Sequence, residues 1–362
     1  MSTHFFDLDR EQLRSFVVEH GLRRFVADQL QEWVYQRGVT ELDRMTNVSR
    51  RDRERLGELV HFESARLLTE RRASDGTRKL LLGWTGPTVE PTGNGLSLLE
   101  PASAGETECV MIPAGDRRTA CISSQVGCPV GCRFCASGLE GLEGNLTRGN
   151  IVEQAWRLGR MAGVGRITNV VFMGMGEPLV NFPGVVGAIR TLNASWGLGI
   201  GARRITVSTV GLPAGIRRLA RFELPVTLAL SLHAPNDELR RQIIPWADRS
   251  TIEELLEACT EYFRESGREV TLEYILLGEV NDRPEHAREL AGLARSLRAN
   301  VNLIRYNEVE GLPYRRPVSA DVHRFQSLLR ERGVNVHIRA SRGRDIDAAC
   351  GQLRHQHRRE QG

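Results

Sequence analysis

The stretch TACISSQVGCPVGCRFC, residues 119–135, joins a strand-like apolar segment to a loop with three cysteines. Cys128, Cys132 and Cys135 follow the spacing C-x3-C-x2-C, and cysteine thiolates are the usual ligands of iron–sulfur clusters. Three thiolates can hold three corners of a 4Fe-4S cluster and leave the fourth iron open to a small molecule. A tetrahedral zinc site would require a fourth ligand, which does not lie close by in the sequence. We therefore interpret the loop as an iron–sulfur site.

Short apolar segments alternate with amphipathic stretches from about residue 119 onward. We interpret seven of these segments as strands: TACISS, ITNVVFM, RITVST, VTLALS, TLEYILL, VNLIRY and VNVHIRA. Strand, helix and strand at this spacing predict βαβ units and a parallel sheet, and hence an α/β fold with a partial or complete (β/α) barrel over 119–362. Residues 1–75 show apolar positions at a spacing of three to four and are predicted to form a helical domain. Residues 76–118 are predicted to form a β-hairpin linker.

Polar motifs follow the predicted strands where each one ends: GMGEPLVN, STVG, SLHAPND, Asn307 and SRGRDIDAACGQL. Because the carboxyl ends of barrel strands meet at one rim, we expect these motifs to lie together. Taken one at a time, each residue also has an ordinary structural explanation. Glu177 could belong to a turn, Ser208 could end a strand, and His233 could be a buried core histidine. Their common position favours a binding site.

Two further cysteines lie near this rim in the predicted fold. Cys121 is on the strand that leads into the cluster loop, and Cys350 is in an irregular C-terminal loop. Each alone could be a small buried side chain, but together at one rim they would form a dithiol pair. We interpret Cys109 and Cys259 as structural.

The charge of the chain permits a nucleic-acid partner. The net charge is +4, and Lys79 is the single lysine among 49 basic residues. Arginine suits RNA because its planar fork holds phosphate, but the codon bias of a GC-rich genome is the better explanation of the ratio. Basic residues cluster at 50–55 and at 354–359. The sequence has neither an apolar run of about 20 residues nor a secretory signal, so we expect a cytoplasmic protein without a membrane partner.

These motifs resemble the RlmN/Cfr family of radical SAM RNA adenine methyltransferases over nearly the whole chain. The resemblance implies a 4Fe-4S cluster on the three cysteines and S-adenosyl-L-methionine (SAM) on its open iron. It implies a SAM site made of Gly176, Glu177, Ser208, Ser231, Leu232, His233 and Asn307. It also implies that Cys350 is an S-methylcysteine intermediate and that Cys121 later forms a disulfide with it. Glu108 matches the proton acceptor of the family, a role that Cys121 could share.

The same resemblance implies an adenine C2 methyltransferase that acts on 23S rRNA, with the tRNA anticodon loop as a further candidate substrate. It implies an electron donor such as a flavodoxin-type reductase system, and we expect a monomer. Methylation at adenine C8, as in the Cfr type, remains an alternative, as do a radical SAM enzyme on a non-RNA substrate and an RNA-binding module with a structural metal. The segment between Leu80 and Glu108 is longer than the family pattern, and its role stays open.

Overall fold

A computed structural model describes residues 2–84 and 105–353 and contains one large mixed sheet. The strands, numbered in chain order, are β1 (Thr3–His4), β2 (Val60–His61), β3 (Ala65–Arg72), β4 (Arg78–Trp84), β5 (Glu106–Ala114), β6 (Arg117–Cys121), β7 (Gln125–Gly127), β8 (Leu142–Asn145), β9 (Asn169–Phe172), β10 (Ile205–Thr209), β11 (Thr227–Ser231), β12 (Thr271–Leu276), β13 (Asn300–Arg305) and β14 (Val336–Arg339). β1 pairs with β2 and β7 with β8, and the other ten strands form the large sheet.

The helices cover the parallel part of this sheet and form the N-terminal region. They are α1 (Arg10–Glu19), α2 (Phe25–Gln31), α3 (Arg50–Leu59), α4 (Arg148–Arg160), α5 (Phe182–Asn193), α6 (Pro213–Ala220), α7 (Asp237–Ile243), α8 (Ile252–Ser266), α9 (Pro284–Leu297) and α10 (Ser319–Arg330). A π-helix spans Glu32–Arg37 directly after α2, and it ends at Gly38, whose φ is 66°. Left-handed backbone of this kind favours glycine, which explains the stop at this position.

The strand order in the large sheet is β14-β13-β12-β11-β10-β9-β6-β5-β4-β3. Neighbours from β6 to β14 pair in parallel, whereas β3, β4, β5 and β6 pair antiparallel. The seven parallel strands are those predicted from the sequence. Among the described residues β14 and β3 are the two edges, so the barrel is partial, and the predicted α/β fold class is confirmed.

Helix α8 shows how local sequence and burial agree in this fold. Thr251 caps its first turn in a capping box with Glu254, and Gly267 ends it with a φ of 65°. Its inner face buries Leu255 and Tyr262 in the main core. Caps satisfy the free backbone groups at the two ends of a helix, and the apolar face supplies most of the stabilisation.

The prediction that residues 1–75 are helical is wrong beyond Leu59. β3, Ala65–Arg72, is a strand that pairs antiparallel with β4. A strand with so many charged residues can form because several of their side chains remain exposed to water, while the backbone groups are paired with β4. β4 and β5 pair antiparallel, as the predicted hairpin requires. Residues 85–104, which connect the two strands, lie outside the described part of the chain. We keep domain boundaries near residues 75 and 118 as a proposal.

A buried charged cluster joins the N-terminal segment to α4. His4 Nε2 lies 3.1 Å from Glu153 Oε2, and His4 Nδ1 lies 3.5 Å from Asp7 Oδ2. Asp7 also accepts a hydrogen bond from the Gly149 backbone N–H at 2.7 Å, in the first turn of α4. A charge buried in this way requires partners, so the cluster fixes the N-terminal segment against the barrel. Across the described residues, no helix is both long and apolar enough to cross a membrane.

Candidate active site

One cavity opens where the parallel strands end, and most of the predicted site residues line it. The predicted residues on its wall are Cys128, Cys132, Cys135, Gly176, Glu177, Ser208, Ser231, His233 and Cys350. Leu232, Asn307, Cys121 and Glu108 do not line it and lie in the structure around it. The polar ends of strands therefore converge on one rim, as expected for parallel strands.

The cluster loop begins at a glycine with left-handed backbone. Gly127 has a φ of +71°, and a Cβ there would lie 2.0 Å from the carbonyl oxygen of Gly141. The next residue, Cys128, donates its backbone N–H to the same carbonyl at 2.8 Å. The short β7–β8 ladder thus fixes the start of the loop, and the buried ring of Phe134 packs beside the cysteines. This hairpin was not predicted from the sequence.

The three thiols of the loop suit a cluster better than a single metal ion. Within the described residues, no group of three or more histidine, cysteine or acidic side chains could hold one metal ion. In a 4Fe-4S cluster each thiolate binds a different iron, so the sulfur atoms need not meet at one point. Burial raises the pKa of Cys128 to about 12 and the pKa of Cys132 well above its usual value. Metal binding would have to offset this preference for the protonated thiols.

A buried arginine supports the presence of an anionic group in this place. Arg240 is 1% exposed, and it donates Nε–H to the Leu232 carbonyl and Nη2–H to the Val210 carbonyl. Its Nη1 atom is buried without an acceptor among the described residues. Its positive charge lowers the pKa of Cys132, against the larger effect of burial. A cation that is buried and incompletely paired is costly, and an iron cluster held by thiolates would compensate it. The residues present therefore fit the cluster.

The Gly-Glu-Pro motif forms one wall of the cavity. Gly176 has a φ of +104°, and a Cβ there would lie 2.7 Å from the Ser124 and Gln125 side chains. The Glu177 carboxyl group accepts backbone hydrogen bonds from Leu179 at 3.0 Å and Val210 at 2.8 Å. Burial nonetheless raises the pKa of Glu177 to about 7. A carboxylate so placed can accept a hydrogen bond from an ammonium group.

The two serines and the histidine line the same cavity as the Gly-Glu-Pro motif. Ser208 and Ser231 end neighbouring strands β10 and β11, and their hydroxyl oxygens are 3.1 Å apart. His233 follows β11 with a φ of 60°, and its Nδ1 accepts the Ile275 backbone N–H at 3.1 Å. Burial lowers the pKa of His233 to about 3, so the ring is neutral. Its edge packs on Phe134, with the ring centroids 5.1 Å apart.

Leu232 and Asn307 have partners other than the cavity. The Leu232 side chain is fully buried in the main core. Asn307 is 3% exposed, and its Oδ1 accepts a hydrogen bond from Arg316 at 3.0 Å. Arg316 contacts only the Oδ1 atom of Asn307, so the amide N–H group of Asn307 can still donate to a ligand. The Leu232 backbone N–H donates to the Glu273 carbonyl, and the Leu232 carbonyl, which accepts from Arg240, keeps a second lone pair for a ligand.

The C-terminal loop brings Cys350 to the cluster loop. The Gly351 carbonyl accepts the Ala136 backbone N–H at 2.8 Å, and the Leu353 carbonyl accepts the Ser137 hydroxyl at 2.8 Å. Cys350 retains exposed surface and lines the cavity. A thiol on a cavity wall is still poorly hydrated, and this desolvation raises the pKa of Cys350 to about 11.

Cys121 ends β6 and packs against the C-terminal loop that carries Cys350. Both thiols are free, and the electrostatic interaction between them adds to the effect of burial in raising the pKa of Cys121 to about 12. Arg339 opposes this shift in both thiols. Cys109, in contrast, is buried in the main core, and Cys259 is buried in α8. The structure thus places Cys121 beneath the loop that carries Cys350, and the pairing of the two thiols stays a prediction.

Glu108 lies in the antiparallel part of the sheet and is buried. Its carboxylate pairs with Lys79, whose Nζ is 2.7 Å from Glu108 Oε1. Its backbone carbonyl accepts the Ser123 hydroxyl at 2.7 Å, which ties β5 to the segment after β6. Glu108 is thus rigidly held close to the strand that carries Cys121.

Three charged residues of the site were missed in the sequence. Glu273 and Arg339 both line the cavity and pair at 3.2 Å. Glu273 interrupts the apolar strand TLEYILL, and Arg339 ends the last strand, so a search for charged residues within or at the end of the apolar strands would have found both. Arg240, in SLHAPNDELRR, gave no local signal because charged residues are ordinary on a helix surface.

The basic residues of the N-terminal region lie on α3. Arg50, Arg51 and Arg55 are exposed or partly exposed, and a surface pocket is lined by Arg23, Arg51 and Arg55. The second basic cluster, at 354–359, lies outside the described residues.

Known proteins resemble this chain in sequence and in structure. Residues 122–291 match the Radical SAM superfamily, and residues 3–61 match the ribosomal RNA large subunit methyltransferase N-terminal domain. The chain is 44% identical over 352 residues to a probable dual-specificity RNA methyltransferase RlmN of Rhodopirellula baltica, an alignment that covers 97% of this chain and 90% of that protein. A second protein of that name, from Gloeobacter violaceus, is 45% identical, with 98% and 96% covered.

A solved structure agrees over the same length. The crystal structure of a radical SAM methyltransferase from Sphaerobacter thermophilus superposes with a TM-score of 0.90 at 40% identity, covering 97% of this chain and 99% of that one. The cofactors of the radical SAM superfamily are a 4Fe-4S cluster and SAM, and they are the cofactors of this chain. With more than 40% identity to RlmN proteins over nearly its whole length, the chain belongs to the RlmN family of the radical SAM superfamily.

Proposed function

We propose that this protein methylates C2 of an adenine in 23S rRNA, with the tRNA anticodon loop as a second substrate. One observation carries the proposal: Cys350, close to the end of the chain, lines the same cavity as the three cysteines of the cluster loop. Support also comes from relatives whose name is dual-specificity RNA methyltransferase and from the match of residues 3–61 to an rRNA methyltransferase domain.

In this proposal Cys128, Cys132 and Cys135 hold the cluster. The SAM site comprises Gly176, Glu177, Ser208, Ser231, His233, the Leu232 backbone and Asn307. When bound, the cluster and SAM supply the one-electron reduction that starts radical chemistry and the methyl group that is transferred. The protein supplies position: Glu177 accepts an ammonium group, the serines bind hydroxyl or carboxylate groups, and the neutral His233 packs against the ligand.

Cys350 is the residue that carries the methyl group on its sulfur. A ring carbon such as adenine C2 is not nucleophilic, so it cannot take the methyl group of SAM by direct displacement, and a radical route through the sulfur-bound carbon is proposed instead. Once that carbon is bonded to the adenine ring, the Cys121 thiolate attacks the Cys350 sulfur. The electron pair of the broken sulfur–carbon bond leaves with the carbon, which takes up a proton and becomes the methyl group of the product, and a Cys121–Cys350 disulfide remains. The packing of Cys121 against Ile346 and Leu353 of the loop that carries Cys350 supports this pairing. The positive charge of Arg339 favours the thiolate form of both.

Glu108 is the residue proposed to take the proton from the adenine ring. It is 3% exposed and held by Lys79, on the strand next to that of Cys121. Bulk water is thus kept from the carboxylate. Such a base acts at short range, so the target base has to leave its stack and enter the site.

The RNA partner is proposed to contact the arginines of α3, whose charge suits a phosphate backbone. A flavodoxin-type reductase system as electron donor, and a monomeric state, complete the proposal.

The test uses the full chain after anaerobic loading with iron and sulfide, together with SAM, a one-electron reductant and rRNA or tRNA. Mass spectrometry of nucleosides is expected to find 2-methyladenosine, and mass spectrometry of peptides to find methyl-Cys350. Cys350→Ala is expected to abolish product, whereas the matched control Cys259→Ala, in the core of α8, should retain it. Product formation in Cys350→Ala, or 8-methyladenosine as the only product, contradicts the proposal.

A further inference from the structure

Lys79 is the single lysine in a chain with 48 arginines, and it is buried. Lysine and arginine are rarely buried without a specific partner. Lys79 is 3% exposed on β4, in the antiparallel part of the sheet. A basic residue in this position therefore has a local task that differs from that of the surface arginines.

The Lys79 ammonium group joins two parts of the molecule. Its Nζ is 2.7 Å from Glu108 Oε1 and donates to the backbone carbonyl of Asp347 at 3.0 Å. Asp347 has a φ of 50°, a left-handed conformation that is uncommon outside glycine, and it lies three residues before Cys350. One ammonium group thus bridges a buried carboxylate and the loop that carries the cavity cysteine.

The register of the sheet explains how these residues meet. Lys79 pairs with Val110 on β5, and Val110 pairs with Cys121 on β6. Residues directly opposite one another on neighbouring strands share a face of the sheet. Val110 and Cys121 pack on that face against Ile346 and Ala348 of the C-terminal loop. The C-terminal loop therefore covers the row of residues Lys79, Val110 and Cys121, and Lys79 is the last residue of this row.

The β3–β4 turn holds the same loop from the other side of Lys79. The Ser74 backbone N–H donates to Asp345 at 2.8 Å, and the Gly343 backbone N–H donates to Asp75 at 3.1 Å. Lysine presents a compact charge with three donors on a flexible stem, whereas arginine presents a longer planar fork. Two oxygen acceptors at 2.7 and 3.0 Å in a closed space suit the compact group.

We infer that Lys79 is a positioning residue that fixes the Cys350 loop and the Glu108 carboxylate relative to each other. The inference rests on the proposed function, in which Cys350 carries the methyl group and Glu108 takes the proton. Lys79 itself touches neither substrate nor cofactor in this role. Without it, Glu108 would lose the ammonium group that lies 2.7 Å from its Oε1, and the loop would lose the hydrogen bond that the Asp347 carbonyl accepts at 3.0 Å.

The first experiment measures hydrogen–deuterium exchange by mass spectrometry in the full, anaerobically loaded protein. Lys79→Met keeps the length of the side chain and removes its charge and donors. We expect exchange in residues 343–353 to rise at least tenfold, with smaller changes elsewhere in β4 and β5. Arg66→Met, an exposed change on the neighbouring strand, is the matched control and should leave the loop as in wild type. Unchanged loop exchange in Lys79→Met would overturn the inference.

The second experiment measures product formation at saturating RNA, so that a change in turnover is separated from a change in RNA affinity. Lys79→Met is expected to lower turnover at least tenfold with little change in KM. Lys79→Arg restores the charge but not the compact shape, and we expect it to recover less than half of the turnover. Wild-type turnover in either variant contradicts the positioning role. If wild-type protein makes no methyladenosine, the proposed function fails, whereas the exchange experiment still decides whether Lys79 holds the loop.

Discussion

The buried histidine near the N-terminus makes stability depend on pH in a window that the structure defines. His4 lies between Asp7 and Glu153, stacks on the ring of His61, and Glu153 also pairs with Arg157 at 2.8 Å. Burial by itself would lower the pKa of His4, but the hydrogen bonds and charges of the two carboxylates more than offset it and raise the pKa to about 9. The folded protein therefore keeps this histidine charged at neutral pH.

The sign of the effect follows from the folded and unfolded pKa values. A pKa raised from 6.5 to about 9 means that the folded state binds the proton more tightly. This stabilisation is fully present below pH 6.5 and is lost as the pH rises through 9. At 1.36 kcal/mol per unit, the whole shift is worth roughly 3 kcal/mol, of which roughly 2.5 kcal/mol disappears between pH 6.5 and 9. The lowered pKa values of Asp7, Glu153 and His61 act below this window.

The assay compares urea unfolding of wild type and His4→Gln at pH 6.5 and at pH 9, followed by circular dichroism under reducing conditions. Urea is uncharged and leaves the ion pairs unscreened. The stability advantage of wild type over His4→Gln is expected to shrink by roughly 2.5 kcal/mol between the two pH values. His323→Gln, an exposed change on α10, controls for the loss of a histidine. An advantage that stays constant across the window would refute the reasoning.

Three other substitutions test single features of the site. Gly127→Ala would place a Cβ 2.0 Å from the Gly141 carbonyl oxygen at a φ of +71°, so we expect less than half of the wild-type iron after anaerobic loading, measured by metal analysis. Gly343→Ala would place a Cβ 2.8 Å from Thr77, at a φ of +64°, and is expected to lower turnover at least tenfold; wild-type turnover would show that the loop position is not critical. Burial raises the pKa of Glu177 from 4.5 to about 7, so the folded state binds more protons than the unfolded state between these values and stability falls as the pH rises. Urea unfolding at pH 5 and at pH 7.5 measures this decrease in the free energy of unfolding. In Glu177→Gln we expect the decrease to be smaller than in wild type by roughly 2 kcal/mol, and an equal decrease in both proteins would argue against a raised pKa of Glu177.

Those parts of the fold that depend on local pattern could be predicted from the sequence. The seven parallel strands are apolar runs bounded by polar motifs, and helices such as α8 have both a cap and an apolar face. Since parallel strands end at one edge, the order of strands and helices along the chain was enough to place the motifs that follow them together. Cys350 could be placed near this rim because its motif, SRGRDIDAACGQL, follows the last predicted strand.

Features that depend on distant contacts could not be predicted. β3 is rich in charged residues and forms a strand because β4 supplies its backbone partners. The contact between Lys79 and Asp347 joins residues that are 268 positions apart, and no local periodicity records it. Arg240 likewise has the appearance of an ordinary surface residue until α7 is packed beneath the cluster loop. Whether a charged residue is buried depends on the tertiary structure, and the groups that pair with the buried charge are also distant in the sequence.

The open sheet explains why the end of the chain can take part in the site. A closed barrel would pair β14 with β6, but here β6 pairs with β5, and β14 is an edge of the described sheet. The chain leaves β14 and crosses to the antiparallel strands, where the β3–β4 turn and Lys79 hold it. It then returns to the cluster loop through Gly351. Cys350 thus lies between two anchors that belong to different parts of the sheet. Because each anchor fixes only one side of the loop, loss of either one should free Cys350 while the barrel itself stays folded.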